Sequence, residues 1–282
     1  MITESRLFNI GSQSGTKNNG SKLSNLNYFI PNFVSNSDDD NIITVYLSVK
    51  NAEFPSSFYL INEYNNVISI NNTLYTLTQG NYNINNFITS LSSLLGNSYS
   101  ISYNSITYKI TISSSTNFTI NYLNTTMSRF LGISSTSNTT SILNGSLYSI
   151  TSAYVVNFLP IQKLHLRTNI QFDSYNNYDK SNDILISIQN NSFILGGNIL
   201  YNNDTNLKYL VYEKDISNFN LRITDDFNRE INLNNCDFYL TFQVDYIYRS
   251  IPIKNSLSRF IKNNSFIKDY IKSLEDNFQE EE

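Results

Sequence analysis

The sequence predicts a mainly β protein: an antiparallel sandwich of jelly-roll-like form, with one helix inserted near residues 84–95 and a second helix at the C-terminal end. Two observations carry this. Between Ile43 and Tyr248, apolar and polar residues exchange at every second position, as in TVYLSVK (44–50), KLHLRTNIQF (163–172) and DFYLTFQVDYIY (237–248), which is the period of strands with one face buried. Such runs recur about every ten residues with Asn, Asp and Gly between them, and the strands of the second half do not alternate with helices, so a parallel α/β sheet is excluded.

Taken in order, residues 1–40 open with the Gly/Ser/Asn-rich GSQSGTKNNGSKLSN, contain the apolar insert NYFIPNF and end in SNSDDD. They read as an extended N-terminal arm with one short strand, of the kind that orders on a partner. Its Tyr28, Phe29, Ile30 and Phe33 are candidate interaction residues. Residues 41–133 read as a β-rich domain with strands NIITVYLSVK, FPSSFYLI, VISI and TLYTLTQ, the last two separated by Asn-Asn. In the next segment Ile84, Phe87, Ile88, Leu91, Leu94 and Leu95 recur at three-four spacing, Asn83 or Asn85 can cap the start, and Gly96 suits the end, so a helix is expected. A hairpin follows, SYSISYNSITYKITIS, with its turn at Asn104 and Ser105. The Ser/Thr/Asn-rich stretch 134–151 reads as a linker. Residues 152–248 supply eight or nine short strands of an antiparallel sandwich. In residues 249–282, Leu257, Phe260, Ile261, Ile267, Tyr270, Ile271, Leu274 and Phe278 form an apolar stripe ahead of an acidic tail, so a terminal amphipathic helix is expected. Its first seven stripe residues complete the set of candidate interaction residues.

Composition narrows the function. Charged residues are 15% of the chain, against roughly 25% in an ordinary domain, and 46 asparagines supply much of the polar surface instead. A neutral, amide-rich surface repels its neighbours little and suits packing. The net charge of −4 and the lack of a basic stripe argue against nucleic-acid binding. No apolar run reaches the roughly 18 residues that a membrane span needs, and the first residues lack a secretory signal pattern. One Cys cannot form an internal disulfide.

Candidate chemical groups are few, and no catalytic, cofactor-binding or metal-ligating residue is assigned. His165, the one histidine, falls on the face of KLHLRT that alternation gives to Lys163 and Arg167, so it is expected to face solvent or an interface. A nucleophilic triad would need a Ser held by this imidazole with an Asp behind it, and no nucleophile elbow is present. Cys236 reads as a small packed residue. Asp38, Asp39 and Asp40 lack the spacing and glycine of a calcium loop. Thr224 to Arg229 read as a plain turn, and Gly196-Gly197 as a bulge or hairpin turn, without the further motif of a phosphate loop. Sequons such as Asn117 and Asn124 arise from composition alone. Surface and shape, rather than reactive groups, are expected to carry the function. An aromatic-rich sandwich recognising a glycan or host surface is the alternative reading.

Three stretches resemble a known family. The first is VYLSVKNAEFPSSFYLINEYNN, through Leu47, Ala52, Phe54, Pro55, Ser57, Phe58, Tyr59, Ile61, Asn65 and Asn66. The second is the helix entry Gly80, Tyr82, Phe87, Leu91 and Leu95 with Phe130-Leu131-Gly132 downstream. The third is Ile184, Leu185 and Ile188, then Ile216 to Thr224, Asp225, Arg229, Ile231, Leu233, Asn234 and FYLTFQVDYIY. Phe238 stands where Trp is usual, and Asn228 where Gly is common. The pattern is similar to minor capsid and penton-type proteins of large icosahedral double-stranded DNA viruses and of virophage and polinton-like elements. That resemblance implies a structural subunit without enzymatic activity, sited in the virion and assembled in the host cytoplasm. Its implied partners are a double-jelly-roll major capsid protein and other minor capsid proteins, with self-oligomerisation as a further option.

Overall fold

The computed structural model describes residues 2–17, 22–35, 42–159, 161–172, 182–192, 196–213 and 215–248. In chain order the elements are β1 (Ile2–Gly11), β2 (Thr16–Lys17), β3 (Asn25–Ser35), β4 (Ile42–Pro55), β5 (Val67–Ile70), β6 (Thr73–Thr76), α1 (Ile84–Leu95), β7 (Ser100–Asn104), β8 (Lys109–Ser114), β9 (Thr119–Ile120), α2 (Ser128–Leu131), β10 (Thr139–Thr140), β11 (Ile142–Asn144) and β12 (Leu147–Thr151). They continue with β13 (Lys163–Thr168), β14 (Ile184–Gln189), β15 (Asn198–Asn202), β16 (Tyr209–Val211), β17 (Asp215–Thr224) and β18 (Tyr239–Tyr248).

The protein is mainly β, and every paired strand is antiparallel, as the alternation predicts. One sheet runs β1-β18-β4-β15, with β16 also on β4; a second runs β14-β13-β17-β3-β2. Followed along the chain, β1, β3, β4, β13, β14, β15, β17 and β18 visit the sheets in the order first, second, first, second, second, first, second, first. This is the winding of an eight-strand jelly roll. Inward-facing side chains of both sheets share one core, which includes Leu26, Phe33, Leu47, Phe54, Leu164, Leu166, Phe219, Phe242 and Tyr246.

Within the expected arm of residues 1–40, the described residues 2–17 and 22–35 are therefore built into the sheets rather than extended away from them. β1 pairs with β18 along its whole length, from Ile2↔Tyr248 to Gly11↔Tyr239, and β3 lies between β17 and β2. The reason is long-range: the partner strands lie some 200 residues downstream, and local Gly/Ser/Asn content says nothing about them. The sandwich expected from residues 152–248 alone draws three of its eight strands from the first 55 residues.

Between β4 and β13 the chain builds a second core around Ile61, Phe87, Leu91, Phe118 and Phe130. Two four-stranded sheets surround it, β10-β9-β5-β6 and β11-β12-β8-β7. The stretch 134–151, expected as a linker, supplies β10, β11 and β12 to these sheets, with Ser and Thr side chains pairing across strands, as in Ser113–Ser149 and Thr111–Thr151. Helix α1 forms where predicted. Its side-chain cap is Asn83, which accepts from Asn86 N, and Gly96 closes it at φ 69°. The hairpin loop between β7 and β8 is longer than expected, with Asn104 Oδ1 accepting from Ile106 N and Thr107 N. At Asn71 and Asn72 both residues are left-handed (φ 50° and 65°), the turn that an antiparallel hairpin prefers.

Gly132 ends α2 at φ 64°, and a Cβ there would lie 2.3 Å from the Tyr154 carbonyl oxygen. Gly132→Ala should therefore cost ~1–3 kcal/mol or more in urea denaturation, combining backbone strain with a backbone overlap. Gly145→Ala, at φ 66° but with open space around it, should cost only about 1 kcal/mol.

Candidate functional site

Of the four interaction candidates near the N-terminus, one presents its ring to solvent. Tyr28 is buried and donates its hydroxyl to the Gly11 carbonyl at 3.1 Å; burial pushes its pKa upward. Phe33 is buried among Phe8, Phe219 and Phe242, with ring centroids 5.0, 4.6 and 5.6 Å away. Ile30 is half-buried against the same core. Phe29 is 68% exposed. The cause is a slip in register: Phe29 pairs with Asn218 and Val34 with Ile216, and the intervening bulge, with Asn32 at φ 56°, brings both Phe33 and Val34 inward. Leu257, Phe260, Ile261, Ile267, Tyr270, Ile271 and Leu274 lie outside the described residues, as do Asp38, Asp39 and Asp40.

The outward face of β13 differs from expectation. His165 and Arg167 are 6% and 0% exposed. Arg167 stands directly across from Arg222, a like-charge pairing that would repel if left alone. Asp183 resolves it, accepting from Arg167 Nη1 at 2.5 Å and from Arg222 Nη2 at 2.9 Å. Arg167 Nε also donates to Thr224 Oγ1 at 2.8 Å. Alternation correctly places these side chains away from the apolar core; it cannot show that a charged network covers the second face.

His165 sits between a hydroxyl and a carboxylate: Nδ1 lies 2.8 Å from Ser187 Oγ and Nε2 lies 3.0 Å from Asp226 Oδ1. The three groups were not linked by any local motif; the cross-strand pairing His165↔Ser187 joins two of them. The ring nitrogens are used in the reverse sense to a hydrolase triad, in which the carboxylate holds Nδ1. Ser187 is exposed in the middle of a strand, and Asp226 is half-exposed on a turn. Among the described residues, neither His165 nor Ser187 lines the grooves beside Tyr239, Tyr64 or Phe29. The geometry ties β14, β13 and the 225–229 turn together.

That turn is held by Asp225. Its Oδ1 accepts from the Phe227 and Arg229 amides at 2.9 and 3.0 Å, and its Oδ2 from Arg229 Nε and Nη2 at 2.8 and 2.6 Å. Asn228 takes φ 60°, the left-handed conformation that explains an Asn where Gly is common. The Arg229 guanidinium then lies over the Tyr64 ring, 5.1 Å from its centroid. Nearby, Lys22 pairs with Glu63. The stretches that carry the family resemblance thus dock on one another. Phe54 stacks on Phe238 at 5.7 Å, Ser57 Oγ donates to the Leu233 carbonyl at 2.6 Å, and Asn234 Nδ2 donates to the Ser57 carbonyl at 2.5 Å.

Cys236, expected to be packed, is exposed. Among the described residues no group of three His, Cys, Asp or Glu is arranged to hold a metal ion, and no helix is long and apolar enough to cross a membrane.

On the first sheet, Asp245 is buried. Burial alone would raise its pKa, but hydrogen bonds from Ser5 (2.6 Å) and Gln243 (2.7 Å) and the Lys208 ammonium (3.3 Å) outweigh this and hold the carboxyl below its usual 3.8. A carboxyl depressed in the folded state contributes stability that is present above its unfolded pKa and lost as pH falls through the folded one. Urea midpoints measured down a pH series should therefore drop below about pH 4, and Asp245→Asn should remove part of that drop.

No protein-family model matches the sequence, and no curated protein matches it. Among solved structures, the chain is similar to the selenomethionine-labelled mavirus penton protein, at 14% identity and a TM-score of 0.45, over 88% of this chain and 100% of that one.

Proposed function

We propose that this chain is a structural protein of a virion: a minor capsid component that stabilises contacts between capsomers built from a double-jelly-roll major capsid protein. The observation that carries the reading is the placement of the resemblance residues. Those of the first and third stretches hold the jelly roll together, through the Phe54–Phe238 stack, the Ser57–Leu233 and Asn234–Ser57 bonds and the Asp225–Arg229 turn. These contacts are architectural: they join strands and turns, and none of them presents a reactive group. Jelly rolls serve capsid subunits, lectins and cupins alike, and fold alone does not choose among them; the charge-poor, amide-rich surface favours assembly.

In this reading the exposed Phe29 and the stripe from Leu257 to Leu274 make the apolar contacts, with major capsid protein, other minor capsid proteins or further copies as partners. The protein resides in the virion, is assembled in the host cytoplasm and has no enzymatic role. Particles purified from producing cells and quantified by mass spectrometry test this. The chain should appear at a fixed ratio to the major capsid protein through successive gradients. Recovery only in the particle-free fraction would sink the reading.

A further inference from the structure

The outer face of the first sheet carries a concave groove of about 610 Å³ near one end of β18, within the ~300–1,000 Å³ range of small-ligand sites. The register arranges its floor in two rows across four strands. One row reads Gly11, Tyr239, Glu53, Leu200; the next reads Asn9, Thr241, Asn51, Asn202. Neighbouring positions within a row are about 4.8 Å apart, and the rows about 6.8 Å. Just past the second row, Lys50 is an extra residue between Val49 and Asn51, opposite Phe242 and Thr241, and such a bulge bends the strand.

From this grid we infer a binding site for a neutral saccharide, a property beyond the capsid role. Three observations support it. First, Tyr239 is a preset platform. Its ring lies over Gly11, where a Cβ would come within 3.1 and 3.2 Å of Cδ1 and Cε1, yet the residue is 55% exposed. Gly11 has φ −132°, a conformation open to any residue, so the glycine serves this close approach and not a turn. An aromatic face fixed in this way attracts the electropositive C–H face of a sugar ring.

Second, the adjoining row consists only of amides and a hydroxyl. Thr241 Oγ1 donates to Asn9 Oδ1 at 2.8 Å, which leaves Asn9 Nδ2 to donate outward. Asn51 and Asn202 are exposed and make no side-chain hydrogen bond among the described residues. Amides both donate and accept, as sugar hydroxyls do. Third, Glu53 is the one charged residue among the described residues that line the groove. Asn198 Nδ2 donates to its Oε1 at 2.5 Å, leaving Oε2 as an acceptor for a hydroxyl pair. A carboxylate in the floor repels anionic ligands, so neutral sugars should bind ahead of sialylated or sulfated ones. Leu200, 56% exposed beside Glu53, offers an apolar spot for a methyl group.

The test uses the full chain on a printed array of neutral and sialylated oligosaccharides, with positive neutral sugars carried into saturation-transfer NMR. Binding to neutral sugars ahead of sialylated ones is expected. Tyr239→Ala should lower it at least tenfold with an unchanged melting midpoint, Tyr239→Phe should retain it, and Gly11→Val, which displaces the ring, should lower it. No binding by the wild-type chain, binding insensitive to Tyr239→Ala, or a preference for sialylated sugars would overturn the inference. So would a concentration-dependent dimer that Tyr239→Ala dissolves, which would give the face to a second copy. A virion with no sugar affinity leaves the capsid reading intact, and the reverse outcome does the opposite.

Discussion

Phe33→Ala is expected to destabilise the protein by ~3–5 kcal/mol, while Phe29→Ala, four residues earlier on the same strand, should change stability by no more than about 0.5 kcal/mol. Both rings come from the one apolar insert, NYFIPNF, that composition offers as a docking segment. Phe33 is fully buried and touches three rings, one of them edge-on at 84°, so truncation loses transfer free energy and leaves a cavity between the two sheets. Phe29 has little packing to lose. Equilibrium urea unfolding followed by tyrosine fluorescence separates the two. Equal, small effects would mean that β3 is not part of the core, and the jelly-roll winding derived from it would fail.

Arg167→Ala should cost about 2–3 kcal/mol, because it empties a fully buried site and leaves the buried Thr224 hydroxyl without its charged donor. The substitution strips Thr224 Oγ1 of its guanidinium donor and leaves Asp183 with Arg222. Both Thr224 and the space vacated by Arg167 are sealed from water. Arg167→Lys keeps the charge but not the fork that reaches Thr224 and Asp183 together, so it should recover only part of the loss. A surface arginine would give less than about 0.5 kcal/mol, and that value would show the network to be open to solvent.

How much of this was legible beforehand depends on range. Period-two alternation found β4, β13, β17 and β18, and three-four spacing found α1 to the residue, because both signals are local. The first strand was missed because ITESRLFNIG alternates poorly, and its evidence lies in β18. The burial of His165 and Arg167 was missed for a related reason: a polar residue on an outward face reads as wet unless its cover is known, and the cover comes from Asp183 and the 225–229 turn. The asparagine excess proved partly conformational. Among the described residues seven of the eight non-glycine positions with positive φ are Asn, a use that composition cannot reveal position by position. The groove at Tyr239 needed cross-strand register, since its two rows are drawn from four separate segments.

The zipping of β1 onto β18 sets the order of events during synthesis. No ribosome can deliver a finished first sheet until residue 248 has left the exit tunnel, because β1 takes its native mate from a strand translated more than two hundred codons later. The unit between β4 and β13 has its own core and is free to condense meanwhile. Long-separation pairings of this kind fold slowly and leave nascent edges exposed. Maturation is thereby timed by translation itself, and a product that stops short of β18 cannot complete the first sheet.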